Sequence, residues 1–195
     1  MTTRRYEMTT RDRARAATRE AIMDAAVELF TPAWFDEVTL ADVAQCAGVS
    51  QQTVVNHFGS KIGLYLAGIS ERVAPAIVAA RSGVRPGDVH AAVEAVVGGY
   101  EVTGDGTFRT VALADRVEEL QEVVARGRVA HRAWLDEVFA PQLRRRRGAA
   151  RERVLLLLVA ATDVTTWKTL RRDEGLSKAA TVEHLRALVE AALVA

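Results

Sequence analysis

A single cysteine, Cys46, stands in the whole 195-residue chain. That excludes an intrachain disulfide and a four-cysteine zinc site. Long apolar runs are missing too. The longest, Val154 to Ala161, falls far short of the ~20 residues a membrane span needs, so no membrane partner is expected. The first residues, Met1-Thr-Thr-Arg-Arg-Tyr-Glu, lack the apolar stretch of a secretory signal. Catalytic signatures are absent as well. The four histidines (His57, His90, His131, His184) are scattered, with no His-x-x-x-His or Cys pairing for a metal. Neither a Gly-x-Ser-x-Gly elbow nor a Gly-x-x-x-x-Gly-Lys-Ser/Thr loop occurs. These absences predict a soluble, cytoplasmic protein that is not an enzyme and carries no metal or cofactor. Surplus charge is lacking as well: 26 Lys+Arg against 25 Asp+Glu leave +1. At face value that argues against a polyanionic partner.

What is present is helix. Apolar residues reach 49 %, enough to fill a core, and strand signals are nearly missing. Ile22, Ala25, Ala26 and Leu29 fall at i, i+3, i+4 and i+7 of a helix over 13–30, stopped by Pro32. Thr39-Leu-Ala-Asp42 opens a short helix as a capping-box variant, and Gly48 ends it. Ser50 caps a second short helix to about Phe58, and Ser60 caps a longer one from Lys61. Further helices are expected over 74–80, 89–97, 108–129 and 131–143, with Gly104-Asp-Gly106 read as a turn. The last two run over about 150–172 and 178–194, the second capped by Ser177. The fold class is all-α: a three-helix domain over 13–72, whose last two helices are short and joined through Gly48, then a larger helical domain over 73–195.

Two short helices joined through a glycine are the sequence form of a helix-turn-helix. Leu40, Val43, Ala44, Val49, Val54 and Phe58 supply the packing between them, and Gln51, Gln52, Thr53, Asn56 and His57 the outward face. Gln and Asn pair bidentately with adenine, and Thr bonds a base edge or packs on a thymine methyl, without any formal charge.

From Arg13 to Leu66 the chain resembles the tetracycline-repressor-like (TetR) family of bacterial regulators. The likeness rests on Ala25-Ala-Val-Glu-Leu-Phe30, Thr39-Leu-Ala-Asp-Val-Ala44, Ala47-Gly-Val-Ser50, Thr53-Val54, His57-Phe58 and Ser60-Lys61. Thr162-Asp-Val164, Trp167-Lys168 and Leu170-Arg-Arg-Asp173 resemble a subset of the family further on. Two positions depart from the pattern. Val55 stands where the family commonly has a phosphate-contacting Tyr, and Trp34 precedes Phe35 where it usually has Gly.

The resemblance implies a regulator, most simply a repressor, that a small-molecule effector releases from a double-stranded, palindromic DNA operator. It implies a homodimer through the last two helices, reading successive major grooves about 34–36 Å apart. It places Lys61 at the DNA backbone and an inducer cavity in the second domain, for which Tyr100, Phe108, His131, Trp134, Asp163, Thr166 and Trp167 are the candidates. Asp163 stands out, because an acid amid apolar residues needs a partner.

Charge by segment completes the expectation. Residues 1–20 carry +3, residues 21–60 hold five acids and no Lys or Arg, and 1–72 sum to −1. Phosphate contacts are therefore assigned to Arg4, Arg5, Arg11, Arg13 and Arg15, read as an arm preceding the first helix, to Lys61, and to the helix N-termini at Thr39 and Ser50. The densest basic run, Arg144 to Arg147, lies away from the reading head. The competing reading is a dimeric ligand-binding or interaction protein on the same scaffold that has lost specific DNA binding, motivated by Val55 and the −1.

Overall fold

The computed structural model describes residues 10–195. Eleven α-helices follow one another among the described residues, with no strand. They divide into two compact units, the first ending at Arg72 and the second running Val73–Ala195.

The first unit holds α1 (Thr10–Phe30), α2 (Leu40–Cys46), α3 (Gln51–Phe58) and α4 (Lys61–Gly68). Helix α1 begins earlier than the sequence periodicity suggests. The run from Thr10 to Arg19 is rich in the helix formers Ala and Arg, and Asp12 sits in the first turn, where the helix dipole favours an acid. Ile22, Ala25, Ala26, Phe30, Val43, Ala44, Val54 and Leu64 form its core, with Leu40, Val49 and Phe58 packed against it. Phe30, Phe35 and Tyr65 close one side, Tyr65 standing edge-on 5.1 Å from Phe30 and 5.2 Å from Phe35. After α4 comes a π-helical turn, Ile69–Val73. Pro75 follows at the start of α5 (Ala74–Arg81) and has no N–H for the carbonyl four residues back, which lies in that turn. Glu71 in the turn pairs with Arg19, and Arg72 pairs with Glu20 and Asp24 of α1. Read through its polar breaks, the stretch Lys61–Arg81 is 21 residues long with a window hydropathy of 1.3. By length and composition alone it passes for a membrane span, which no single apolar run suggests.

The second unit comprises α5, α6 (Val89–Leu113), α7 (Glu118–Val138), α8 (Ala140–Leu143), α9 (Gly148–Ala161), α10 (Val164–Lys168) and α11 (Lys178–Val194). Its core runs through Val93, Val97, Leu135, Phe139, Leu158, Trp167, Leu185 and Val189.

Here three expected boundaries shift. Gly104-Asp-Gly106 lies inside α6, not in a turn between two helices. The break falls instead at 114–117, so α7 takes in His131 and runs to Val138. The expected helix over 150–172 is broken at Thr162-Asp163, where Asp163 caps α10 by accepting from Thr165 N at 2.8 Å, and it ends in a second π-turn, Thr169–Asp173.

Packing explains the first change. Trp167 is fully buried, and a Cβ on Gly104 would meet its ring at 2.4 Å. The glycine is therefore the surface on which the indole lies. Three residues before Gly104 and one after it, α6 carboxylates clamp the π-turn: Glu101 takes both Nε and Nη2 of Arg171, and Asp105 takes Arg172. Burial works to raise the Glu101 carboxyl, but the hydrogen bonds from Arg171 and Trp167 outweigh it and the net shift is downward.

Helix propensity alone would make Gly104→Ala stabilising by about 1 kcal/mol. The contact with Trp167 reverses that sign. We expect the variant to lose about 1–3 kcal/mol by overpacking, read by urea unfolding. A more stable variant would contradict the packing described.

Candidate nucleic-acid interface and the buried polar cluster

The reading head is built by caps. Thr39 and Asp42 form a reciprocal box at the start of α2: Asp42 N donates to Thr39 Oγ1 at 3.1 Å, and Thr39 N donates to Asp42 Oδ2 at 2.8 Å. Hydrogen bonds from the Thr39 hydroxyl and amide hold the Asp42 carboxyl below its ordinary value. Both the N–H and the hydroxyl of Thr39 are thus engaged with Asp42 in the cap of α2.

Between α2 and α3 the chain turns at Gly48, at φ 65°, a conformation glycine enters without steric cost. Val49 N donates to Ala44 O at 2.9 Å across the turn. Ser50 then caps α3, accepting from Thr53 N at 3.1 Å. With Val54 buried beneath, the opposite face of α3 lies open: Gln51, Gln52 and Asn56 are exposed, Thr53 and His57 half-buried. Gln52 Nε2 donates to Asn56 Oδ1 at 3.0 Å, so the two amides are oriented as a pair. Val55 is half-buried, part of the helix flank.

Beside this face is an open cleft of about 620 Å³ lined by Arg11, Asp12, Ala14, Arg15, Thr18, Thr53, Asn56 and His57. Arg11 and Arg15 stand one turn apart on α1, so both guanidinium groups share a wall facing α3. Arg13, exposed, is not among the lining residues. These three arginines belong to a helix and not to a preceding arm, because α1 starts at Thr10. Arg4 and Arg5 lie outside the described residues. Lys61, in the first turn of α4 behind the Ser60 cap, holds its Nζ 4.2 Å from the Phe35 ring centre. Gly63 in the same turn is required: a Cβ there would meet Phe58 O at 2.3 Å.

The expected effector residues fall into two neighbourhoods in the second unit. Trp167, Thr166 and Phe108 belong to the π-turn region. Trp167 Nε1 donates to Glu101, Thr166 Oγ1 donates to Ala160 O at 2.7 Å, and Phe108 lies under Lys168 Nζ at 4.9 Å. Asp163 is partnered as the α10 cap. The other neighbourhood joins Tyr100, His131 and Trp134 to two residues the sequence did not flag, Arg81 and Thr162. Arg81 lies over the Trp134 ring at 4.8 Å, and its Nη2 donates to His131 Nδ1 at 2.9 Å. Since arginine only donates, His131 carries its proton on Nε2 and gives it to Thr162 Oγ1 at 2.9 Å. Thr162 in turn donates to Leu158 O at 2.8 Å, and Tyr100 OH donates to Thr162 O at 3.2 Å. The Tyr100 ring stands 5.6 Å from Trp167 and links the two neighbourhoods. Its phenol is pushed well up by burial. Arg81 reads in sequence as an ordinary basic residue at a helix end, which is why nothing local marked it.

Burial first, and then the Arg81 charge, push the His131 imidazole down to about 4; the Asp163 charge acts weakly the other way. The folded ring therefore stays neutral where the unfolded one, near 6.5, takes a proton. Stability from this group is full above the unfolded value and declines as pH falls toward 4, by on the order of 3 kcal/mol. His131→Gln should flatten that decline, checked by urea unfolding at about pH 7.5 and about pH 5. Equal pH dependence in parent and variant would contradict a buried neutral ring.

Comparison with known proteins adds four findings. Residues 22–67, spanning the last nine residues of α1 through most of α4, match the model of bacterial regulatory proteins of the tetR family. The HTH-type transcriptional regulator AlkX of Mycobacterium tuberculosis is 37 % identical over 87 residues, covering 45 % of this chain but only 37 % of that protein. The HTH-type transcriptional activator FasR of Mycolicibacterium smegmatis is 29 % identical over 175 residues, covering 85 % of this chain and 78 % of that one. The fold is shared with a transcriptional regulator from Rhodococcus sp. Rha1, at a TM-score of 0.70, 19 % identity, and coverage of 93 % and 96 %. Residues 22–67 therefore match the tetR family of bacterial regulatory proteins, and the fold across 93 % of this chain is shared with a solved transcriptional regulator.

Proposed function

We propose that this chain is a sequence-specific, dimeric DNA-binding transcriptional regulator, a repressor that a small-molecule ligand releases from a palindromic operator. The observation that carries the reading is the exposed amide face of α3, Gln51, Gln52 and Asn56, beside the Arg11 and Arg15 cleft. The amides supply base-edge chemistry, and the two arginines supply charge for neighbouring phosphates.

One such head reads too little sequence, so a second copy is needed. Leu156 and Leu157 on α9 and Leu188 on α11 are 53 %, 40 % and 45 % exposed. An apolar stripe on two packed helices is the surface we assign to the homodimer. Release requires that the ligand favour the dimer state that fits DNA poorly. The π-turn at Ile69–Val73, flanked by Gly68 and Pro75, is the element we assign to coupling the two units.

The expected outcome is a specific gel shift with DNA upstream of the protein's own gene. Each bidentate contact is worth about 1–3 kcal/mol, so Gln51→Ala/Asn56→Ala should abolish the preference for that fragment over unrelated DNA. No shift on any genomic fragment at low salt would favour a scaffold that has lost DNA reading, the role that Val55 and the −1 of residues 1–72 suggest.

A further inference from the structure

Helix α5 is apolar from Ala74 to Ala80, yet none of its residues is buried, and Val78 is 68 % exposed. The helix ends on its one charge, Arg81. That side chain is only partly accessible, stacked on Trp134 and committed through Nη2 to a neutral imidazole. Among the described residues no carboxylate lies within ion-pair distance of it, although nine other arginines and lysines of the second unit or the first find one or more acids. Asp163, whose charge is felt by His131 and Tyr100, is used as the α10 cap.

A cation withdrawn from water and left without a counter-charge is costly, and a guanidinium keeps its charge at any physiological pH. His131 cannot supply the missing charge, since it can only accept from Arg81 while neutral. The fork retains N–H groups beyond the one on His131, and its geometry matches a carboxylate bidentately.

We propose that the effector is an amphipathic monoanion, a carboxylate carried on an apolar body. Its carboxylate docks on Arg81, and its apolar part lies against Trp134 and the exposed flank of α5 at Val78. The proposal deepens the ligand-released reading above by naming the chemical class, and it gives His131 and Thr162 the role of positioning residues that hold the Arg81 fork in place.

The test is isothermal titration of the full chain with octanoate and with octan-1-ol, a neutral molecule of the same apolar length. Octanoate is expected to bind about ten- to a hundredfold more tightly than the alcohol, the range of a charge-assisted pair. Arg81→Gln should reduce octanoate to the alcohol's affinity and leave the alcohol within about twofold of the parent, as expected for loss of that one pair. Equal binding of the two probes by the parent, binding of neither, or an Arg81→Gln variant that keeps the preference would each overturn the proposal. The parent comparison stands even where the variant does not fold. Repeating the titrations with operator present separates this proposal from the functional reading. Octanoate held through Arg81 with unchanged operator affinity supports the site and sinks ligand release. Release by octan-1-ol as readily as by octanoate sinks the anion site and keeps ligand release.

Discussion

The reading head depends on one tight turn. Residues 46–50 must reverse the chain within a few bonds while α2 and α3 keep Val43 and Val54 in a shared core. Gly48 supplies the positive φ, the Val49 amide closes onto Ala44 O, and Ser50 starts the next helix by capping it. Once those three are set, the azimuth of α3 follows, since burying Val54 turns Gln51, Gln52 and Asn56 outward. The Gln52–Asn56 bond orders two flexible amides in the free chain, and in the DNA-reading role we propose this lowers the side-chain entropy to be lost on binding.

The second unit solves a different problem, holding a broken helical segment against a long one. Trp167 buries its ring on Gly104 of α6, and the carboxylates of Glu101 and Asp105 grip Arg171 and Arg172 on either side of that contact. The break at Thr162-Asp163 is what frees Thr162 for the polar cluster: its carbonyl receives Tyr100 and its hydroxyl receives His131. A straight helix across 150–172 would leave that carbonyl bonded within the helix. The irregularity therefore builds the cluster around Arg81.

Local signals in the sequence were legible and long-range ones were not. Thr39, Ser50, Ser60 and Ser177 each cap the helix expected of them, because a cap involves residues only three apart. The bounds of the helix-turn-helix follow from those caps and Gly48. Gly104-Asp-Gly106 carries the local signature of a turn, and only the approach of Trp167, more than sixty residues later, makes it helical. Arg81 and Thr162 are absent from the expected effector residues for the same reason. They meet through His131 across 50 and 31 residues of sequence. Within 1–72, the −1 charge concealed that Arg19 and Arg72 are paired with acids of the same unit, while Arg11 and Arg15 line the cleft beside α3.

The central claim is that uncharged amides give specificity while few cations give affinity. It is tested most directly by operator affinity as a function of salt. Neutralising two or three phosphates per subunit predicts a log–log slope of about −4 to −5 for a dimer, at about 0.9 per phosphate. A slope near −10, that of a heavily basic reading surface, would contradict the account.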